Sequence, residues 1–246
     1  MKQFSNLYIF CFSSALVLLV AVALSFTALS LEDKQNENIE IERKQNILTA
    51  LGVKTAKSDV LTEFDRYIDK GEVYKANGKK ADGVLPENLV PKKVKETIDG
   101  KKKTYTIWVL PKTDERLLPV YFAKEDGKII IPVRGSGLWG PIWGNVALGS
   151  DMNTVSGVTF DHAGETPGLG AEINTEKFQA PFKNKKLFDS SNRFVSIKVE
   201  KPGTYTSDSH TVDAISGGTI TSKALEAMIR DSLEPYKTYF SQSKSN

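Results

Sequence analysis

The distribution of apolar and polar residues changes sharply near the start of the chain. From Gln3 to Leu31 no residue carries a formal charge, and Leu7 to Leu29 is dominated by Leu, Val, Ala and Phe. About 20 apolar residues cross the hydrocarbon layer as a helix, so residues 1–31 are expected to form a transmembrane helix. A cleaved signal peptide is the alternative, with Ala28-Leu29-Ser30 as its small-residue cleavage site. The chain then turns polar, and Ile39, Ile41, Ile47, Leu48 and Leu51 leave an apolar stripe that ends at Gly52, a helix C-cap. This spacing predicts a helical stalk over 32–51. Asp59 to Lys70 repeats the helical pattern with Val60, Phe64, Tyr67 and Ile68. Gly71 to Lys103 is rich in lysine and turn formers and reads as surface hairpins or loops, with Lys101, Lys102 and Lys103 in a solvated turn.

Strand patterns follow. Thr104 to Leu110 and Leu118 to Ala123 alternate, and Lys128 to Val133 is a continuous apolar run after an Asp126-Gly127 turn. Ile142 to Leu148, Val155 to Phe160 and Phe194 to Val199 are further strands. Ala224, Leu225, Met228, Ile229 and Leu233 give helical spacing over Ser222 to Leu233, and Pro235 is expected to stop that helix. Strands with helices at the ends imply an α+β fold with a largely antiparallel sheet. The expected organisation is a transmembrane helix over 1–31, a helical stalk and α+β region over 32–125, and a binding domain over 126–240.

Composition narrows the chemistry. The chain has 246 residues with 33 Lys+Arg against 30 Asp+Glu, a net charge of +3, too small a surplus to indicate nucleic acid. One cysteine excludes an intrachain disulfide framework and a cysteine-held metal site, and two histidines leave no multi-histidine centre. Cys11 lies within the apolar run as a lipid-facing residue. Lys2 and the amino terminus on one side of the span, and an acid-rich stretch on the other, place 32–246 outside the cytoplasm, in the periplasm where the cell has one.

Gly135-Ser-Gly-Leu-Trp-Gly140 matches the dinucleotide fingerprint G-x-G-x-x-G and follows a strand, with Asp161 about 20 residues on. Pro141, Gly144 and Asn145 follow at once, so no helix N-terminus is available to hold a pyrophosphate, and the fingerprint is rejected. Glu165-Thr-Pro-Gly-Leu-Gly170 is a compact loop: either a tight surface turn, or a place where Gly170 lets the backbone approach something flat. Asp213-Ala-Ile-Ser-Gly-Gly-Thr219 precedes the last helix. Its plain reading is a turn with Thr221 or Ser222 as N-cap. Its functional reading is an anion site, where glycines expose N–H groups at the helix start and Lys223 adds charge.

Asp213 to Thr219 resembles the flavinylation motif Asp-Gly-x-Ser/Thr-Gly-Ala-Thr, departing from it at Ala214 and Gly218. Gly-Leu-Trp-Gly-Pro-Ile-Trp-Gly over 137–144 and Glu-Thr-Pro-Gly-Leu-Gly over 165–170 are similar to two further signatures of the same family, in the same order. With the single N-terminal span, the chain resembles the C subunits of the Na+-translocating NADH:quinone reductases, most strongly from Lys128 to Tyr236. The G subunits of Rnf ferredoxin:NAD+ complexes are similar, but Leu138 to Gly144 favours the reductase family. The flavin-free alternative is a membrane-tethered interaction module.

The resemblance implies FMN joined by a phosphodiester to Thr219, with Ser216, Gly217 and Gly218 in the attachment loop. Asp213 would be read by a flavin transferase and Lys223 would stabilise the phosphate. The ring would rest against Leu138, Trp139 and Gly140 and against Glu165, Thr166, Pro167, Gly168 and Leu169. The family's role implies electron transfer between an iron–sulfur centre and a second flavin, coupled to sodium export. The partners would be the A, B, D, E and F subunits in the bacterial inner membrane.

Overall fold

A computed structural model describes residues 5–98, 100–206 and 208–243. Lys2, which carries the orientation argument, and Asp99, in the lysine-rich stretch, lie outside the described residues. The chain divides into two units, Met1–Arg43 and Lys44–Asn246. The first is occupied by helix α1, Asn6–Ala50, which runs on into the second unit. The expected span and stalk are therefore one uninterrupted helix, because nothing between Leu29 and Lys44 is Pro or Gly. The apolar part of α1 is long and apolar enough to cross a membrane, and none of its most hydropathic stretch is buried in the protein. At its end, the Gly52 N–H donates to Thr49 and the Val53 N–H to Leu48, which satisfies the last carbonyls as the C-cap glycine requires.

The second unit is built on a mainly antiparallel sheet. After α2, Val60–Tyr67, come β1 Ile68–Lys75, β2 Val90–Ile98, β3 Lys101–Val109, β4 Leu117–Ala123, β5 Ile129–Ser136, β6 Pro141–Leu148 and β7 Val155–His162. They form one sheet in the order β2-β3-β4-β5-β6-β7, with β1 added along β4. Lys101–Lys103 belong to β3 and not to a solvated turn. Lys103 makes an ion pair with Asp231, which gives the strand end a partner. The continuous apolar run of β5 has a clear cause: both its faces are covered. Ile129, Ile131 and Val133 point into the main core, while Ile130 packs with Ile47, Ala50, Tyr121 and Ala147 on the other side.

Short elements follow the sheet: α3 Glu176–Gln179, β8 Lys198–Glu200 and β9 Thr211–Asp213, the last two forming a small parallel pair. The strand expected over Phe194 to Val199 shrinks to three residues, because Ser196 adopts φ 61°, a left-handed conformation that breaks extension. Helix α4, Thr219–Leu233, buries Leu225, Met228, Ile229 and Leu233 in the same core as β5 and β6. Each such side chain contributes roughly 1.5–3 kcal/mol. Pro235 does not stop the helical path. It sits in the first turn of a 3-10 segment, Glu234–Tyr236, where a missing N–H costs nothing, and the chain continues into α5, Lys237–Ser243. Tyr236 anchors that corner by donating its hydroxyl to the Pro119 carbonyl at 2.8 Å.

Candidate functional site

Three glycine-bearing segments meet at one place. The first is the turn 137–140, which joins β5 to β6 and is closed by Gly137 N–H donating to the Gly140 carbonyl at 2.7 Å. The G-x-G-x-x-G residues thus serve a β-hairpin, in keeping with their rejection as a dinucleotide fingerprint. The second is the loop after β7, residues 163–170. The third is the start of α4.

The start of α4 departs from its expected form. The helix begins at Thr219, three residues before Ser222, and its N-cap is Gly218, which supplies no side-chain acceptor. Neither Thr221 nor Ser222 caps it. Thr221 is buried and donates its hydroxyl to Glu165 Oε2 at 2.6 Å, while the Ser222 hydroxyl accepts from the Ile215 N–H at 3.1 Å. The turn before the helix is closed by Gly218 N–H donating to Ile215, with Gly217 at φ 75°. The first helical hydrogen bond runs from Ser222 N–H to Gly218. The N–H groups of Thr219, Ile220 and Thr221 therefore have no acceptor among the described residues, and they carry the positive end of the helix dipole. The Thr219 side chain is exposed, and its hydroxyl makes no hydrogen bond among the described residues.

Glu165 ties the segments together. It is 4 % exposed, and its Oε1 accepts from the Trp139 N–H at 2.9 Å while Oε2 accepts from Thr221. Its own N–H donates to His162 Nδ1 at 3.1 Å, leaving His162 Nε2 buried without a partner. The close approach expected at Gly170 is real, but it is made to protein. A Cβ there would stand 2.4 Å from Thr221 Oγ1 and 2.5 Å from Glu165 Oε2. At Gly137 a Cβ would stand 2.4 Å from Glu165 Oε1. Both positions must be glycine for the carboxylate to sit between them.

A cleft of about 250 Å³ opens at this junction. Of the residues expected from the sequence it brings together Leu138, Trp139, Glu165, Thr166, Leu169, Gly217, Gly218 and Thr219. Gly140, Pro167, Gly168, Asp213, Ser216 and Lys223 do not line it. Asp213 accepts from the Tyr205 hydroxyl at 3.1 Å, and burial together with that bond raises the tyrosine's pKa. Lys223 Nζ is held by Glu200 at 2.9 Å and Glu226 at 3.0 Å; partial burial works against its charge, but the two carboxylates outweigh it and raise its pKa. Gly170, Ile220 and Thr221 also line the cleft, and the sequence does not single them out as site residues. Thr221 carries a signal that could have found it: it precedes Leu225 by one helical turn on the buried face, where a hydroxyl needs a partner.

The rim is apolar and exposed. Trp139 is 70 % accessible, Ile220 61 %, Leu138 47 % and Leu169 41 %. Four large apolar side chains left in water around a free hydroxyl and unsatisfied N–H groups fit a flat apolar ring joined to a phosphate.

Residues 137–234 match the model of the FMN-binding domain family. The chain is 34 % identical over 220 residues to the C subunit of the Na(+)-translocating NADH-quinone reductase of Vibrio vulnificus, covering 86 % of this chain and 84 % of that one. It is 34 % identical over 232 residues to the same protein of Neisseria meningitidis serogroup A, covering 87 % of each. Among solved structures, the C subunit of this reductase from Parabacteroides distasonis superposes with a TM-score of 0.71 at 35 % identity, over 85 % of this chain and 96 % of that one.

Proposed function

The chain belongs to the family of C subunits of the Na(+)-translocating NADH-quinone reductases, and on that basis we propose that Thr219 carries FMN through a phosphodiester and that the cleft holds the flavin ring. Family and FMN-binding domain together support an electron-transfer role in the reductase. The finer reading rests on one observation: the Thr219 hydroxyl is free, beside an uncapped helix start and an apolar cleft.

FMN, when bound, supplies a ring that accepts and returns electrons. The protein's residues bind and orient it. The N–H groups of Ile220 and Thr221 offer hydrogen bonds to a phosphate on Thr219, and the helix dipole adds about 0.3–1 kcal/mol. Trp139, Leu138, Leu169 and Ile220 supply apolar walls that exclude water. A cleft of about 250 Å³ lies below the usual size of a site that encloses its ligand, so an edge of the ring stays open to a redox partner. Outside the cytoplasm, a covalent tether replaces a dissociation constant with a fixed effective concentration. In this reading α1 is a single membrane span, the second unit faces the periplasm, the A, B, D, E and F subunits are the partners, and a flavin transferase reads the exposed Asp213 segment. Electron flow through the complex would drive sodium export.

Peptide mass spectrometry of the segment Pro202 to Lys223 tests the attachment. The expected result is the mass of one FMN less water on Thr219, lost completely in Thr219→Ala. Folding should be intact in that variant, because an exposed, unbonded hydroxyl contributes less than about 0.5 kcal/mol. The same mass retained in Thr219→Ala, or found on Thr221, overturns the reading, and a wild-type chain without flavin makes it an interaction module.

A further inference from the structure

We propose that Glu165 is a positioning residue for the flavin site: its carboxylate clasps the Trp139 wall to the first turn of α4, so that the cleft is formed before flavin arrives. The inference deepens the proposed flavin attachment at Thr219 and rests on it for its functional meaning. The clasp itself rests on geometry alone. One oxygen holds the backbone of Trp139, 26 residues away in sequence, and the other holds the side chain of Thr221, 56 residues away. Both contacts reach the cleft directly: Trp139 is its wall, and Thr221 follows Thr219 by two positions in the same helical turn. Fixing Thr221 and the Trp139 backbone to one rigid group therefore fixes the spacing between wall and attachment point.

Three further features show that the position is built. The carboxylate is 4 % exposed and makes no ion pair among the described residues, so it is held by directed hydrogen bonds and not by a diffuse charge. Gly137 and Gly170 leave room for its two oxygens, and any side chain at either place would expel them. His162 accepts the Glu165 N–H, so the backbone is fixed as well as the side chain. With both oxygens turned to protein donors, Glu165 acts on the flavin through Trp139 and α4 and does not serve as its ligand. Preorganisation of this kind reduces the ordering that binding would otherwise require.

Hydrogen exchange on the full-length chain in detergent, in a Thr219→Ala background without flavin, tests the clasp directly. Glu165→Ala should speed exchange of the Trp139 amide and of amides 219–222 by about tenfold or more, since the lost bonds are buried. Thr221→Val should do the same at Trp139 with little change of shape. Glu165→Gln should restore slow exchange, because its amide oxygen still accepts from Trp139 and its NH2 can donate to the Thr221 oxygen. In the flavin-bearing chain, Glu165→Ala should keep the FMN mass but lower the anisotropy of flavin fluorescence, and Glu165→Gln should keep both. Unchanged exchange at Trp139 in Glu165→Ala, or no rescue by Gln, overturns the proposal. Absence of FMN from the wild-type chain overturns the attachment reading instead, and the exchange measurement still decides the clasp.

Discussion

Two glutamates in the same unit are almost equally buried and do opposite kinds of work. Glu72 on β1 is 8 % exposed and Glu165 is 4 % exposed. Glu72 accepts from Lys80 at 2.7 Å, from Tyr74 at 2.5 Å and pairs with Lys70 at 3.2 Å, so every partner lies within eight residues. Burial alone would raise its pKa, but the bonds from Lys80, Tyr74 and Lys70 outweigh burial and hold it at about 2. Tyr74 answers in the opposite sense: burial and the Glu72 carboxylate push its pKa up. Glu165 has neutral donors and distant ones. Burial of a carboxylate therefore does not define its role. Charged local partners make a strand-to-turn tie whose strength depends on pH, whereas neutral partners far apart in sequence make a junction whose value is geometric.

Truncation separates the two most strongly. Glu165→Ala leaves the Trp139 N–H and the Thr221 hydroxyl buried without acceptors and opens a void between Gly137 and Gly170. The expected loss is about 2–4 kcal/mol, or a fall in melting temperature of about 5–15 °C. Thermal unfolding followed by circular dichroism measures it. A change below about 1 kcal/mol would make Glu165 as dispensable as a surface residue.

Removing only the charge resolves the two sites more finely. Glu72 has a folded pKa of about 2 against an ordinary 4.5, so its contribution is complete above pH 4.5 and is lost as pH falls towards 2. Glu72→Gln should cost about 1–2 kcal/mol at pH 7, discounted for the half-exposed lysines, and should flatten the acid limb of stability across that window. Glu165→Gln, which keeps both hydrogen bonds, should leave the stability at pH 7 within about 1 kcal/mol. Chemical denaturation at pH 7, 4 and 2.5 tests both variants. An acid limb unchanged in Glu72→Gln would show that other carboxylates carry it.

The same contrast explains what is legible in the sequence. The sheet, the last helix and the apolar N-terminal span follow from periodicity, because apolar spacing reports directly which face is buried. Thr219, Trp139 and Glu165 are legible through their resemblance to a family. The work that Glu165 does is not, because a clasp between residues 139, 165 and 221 depends on tertiary approach that no local pattern encodes. Glu72 gives no signal at all: Lys70, Glu72, Tyr74 and Lys80 read as ordinary surface residues until β1 is paired and the turn folds back. The start of α4 differs from its expected place for a related reason. Thr221 and Ser222 have capping chemistry, but their hydroxyls are consumed by Glu165 and by Ile215, and the helix begins without a side-chain cap.

Lys223 should respond most weakly and so serves as a control. Like Glu72 it has two oppositely charged partners, Glu200 and Glu226, at ordinary ion-pair distances. Unlike Glu72, its side chain is 46 % exposed, against 9 % for Glu72. Water competes for the ammonium, and an exposed pair contributes about 0–1 kcal/mol whatever its partner count. Glu226 also accepts the Val199 N–H at 2.7 Å, so one of the two carboxylates keeps a partner when the lysine is removed. Lys223→Ala should therefore cost less than about 0.5 kcal/mol, and high salt should erase the difference. The Lys223 ammonium is committed to these carboxylates and does not line the cleft, so the variant should also carry covalent FMN at the wild-type yield. Denaturation in low and high salt, with intact mass of the denatured chain, reads both outcomes. Loss of the FMN mass in Lys223→Ala would return the lysine to the phosphate site and would show that its partners exchange during attachment.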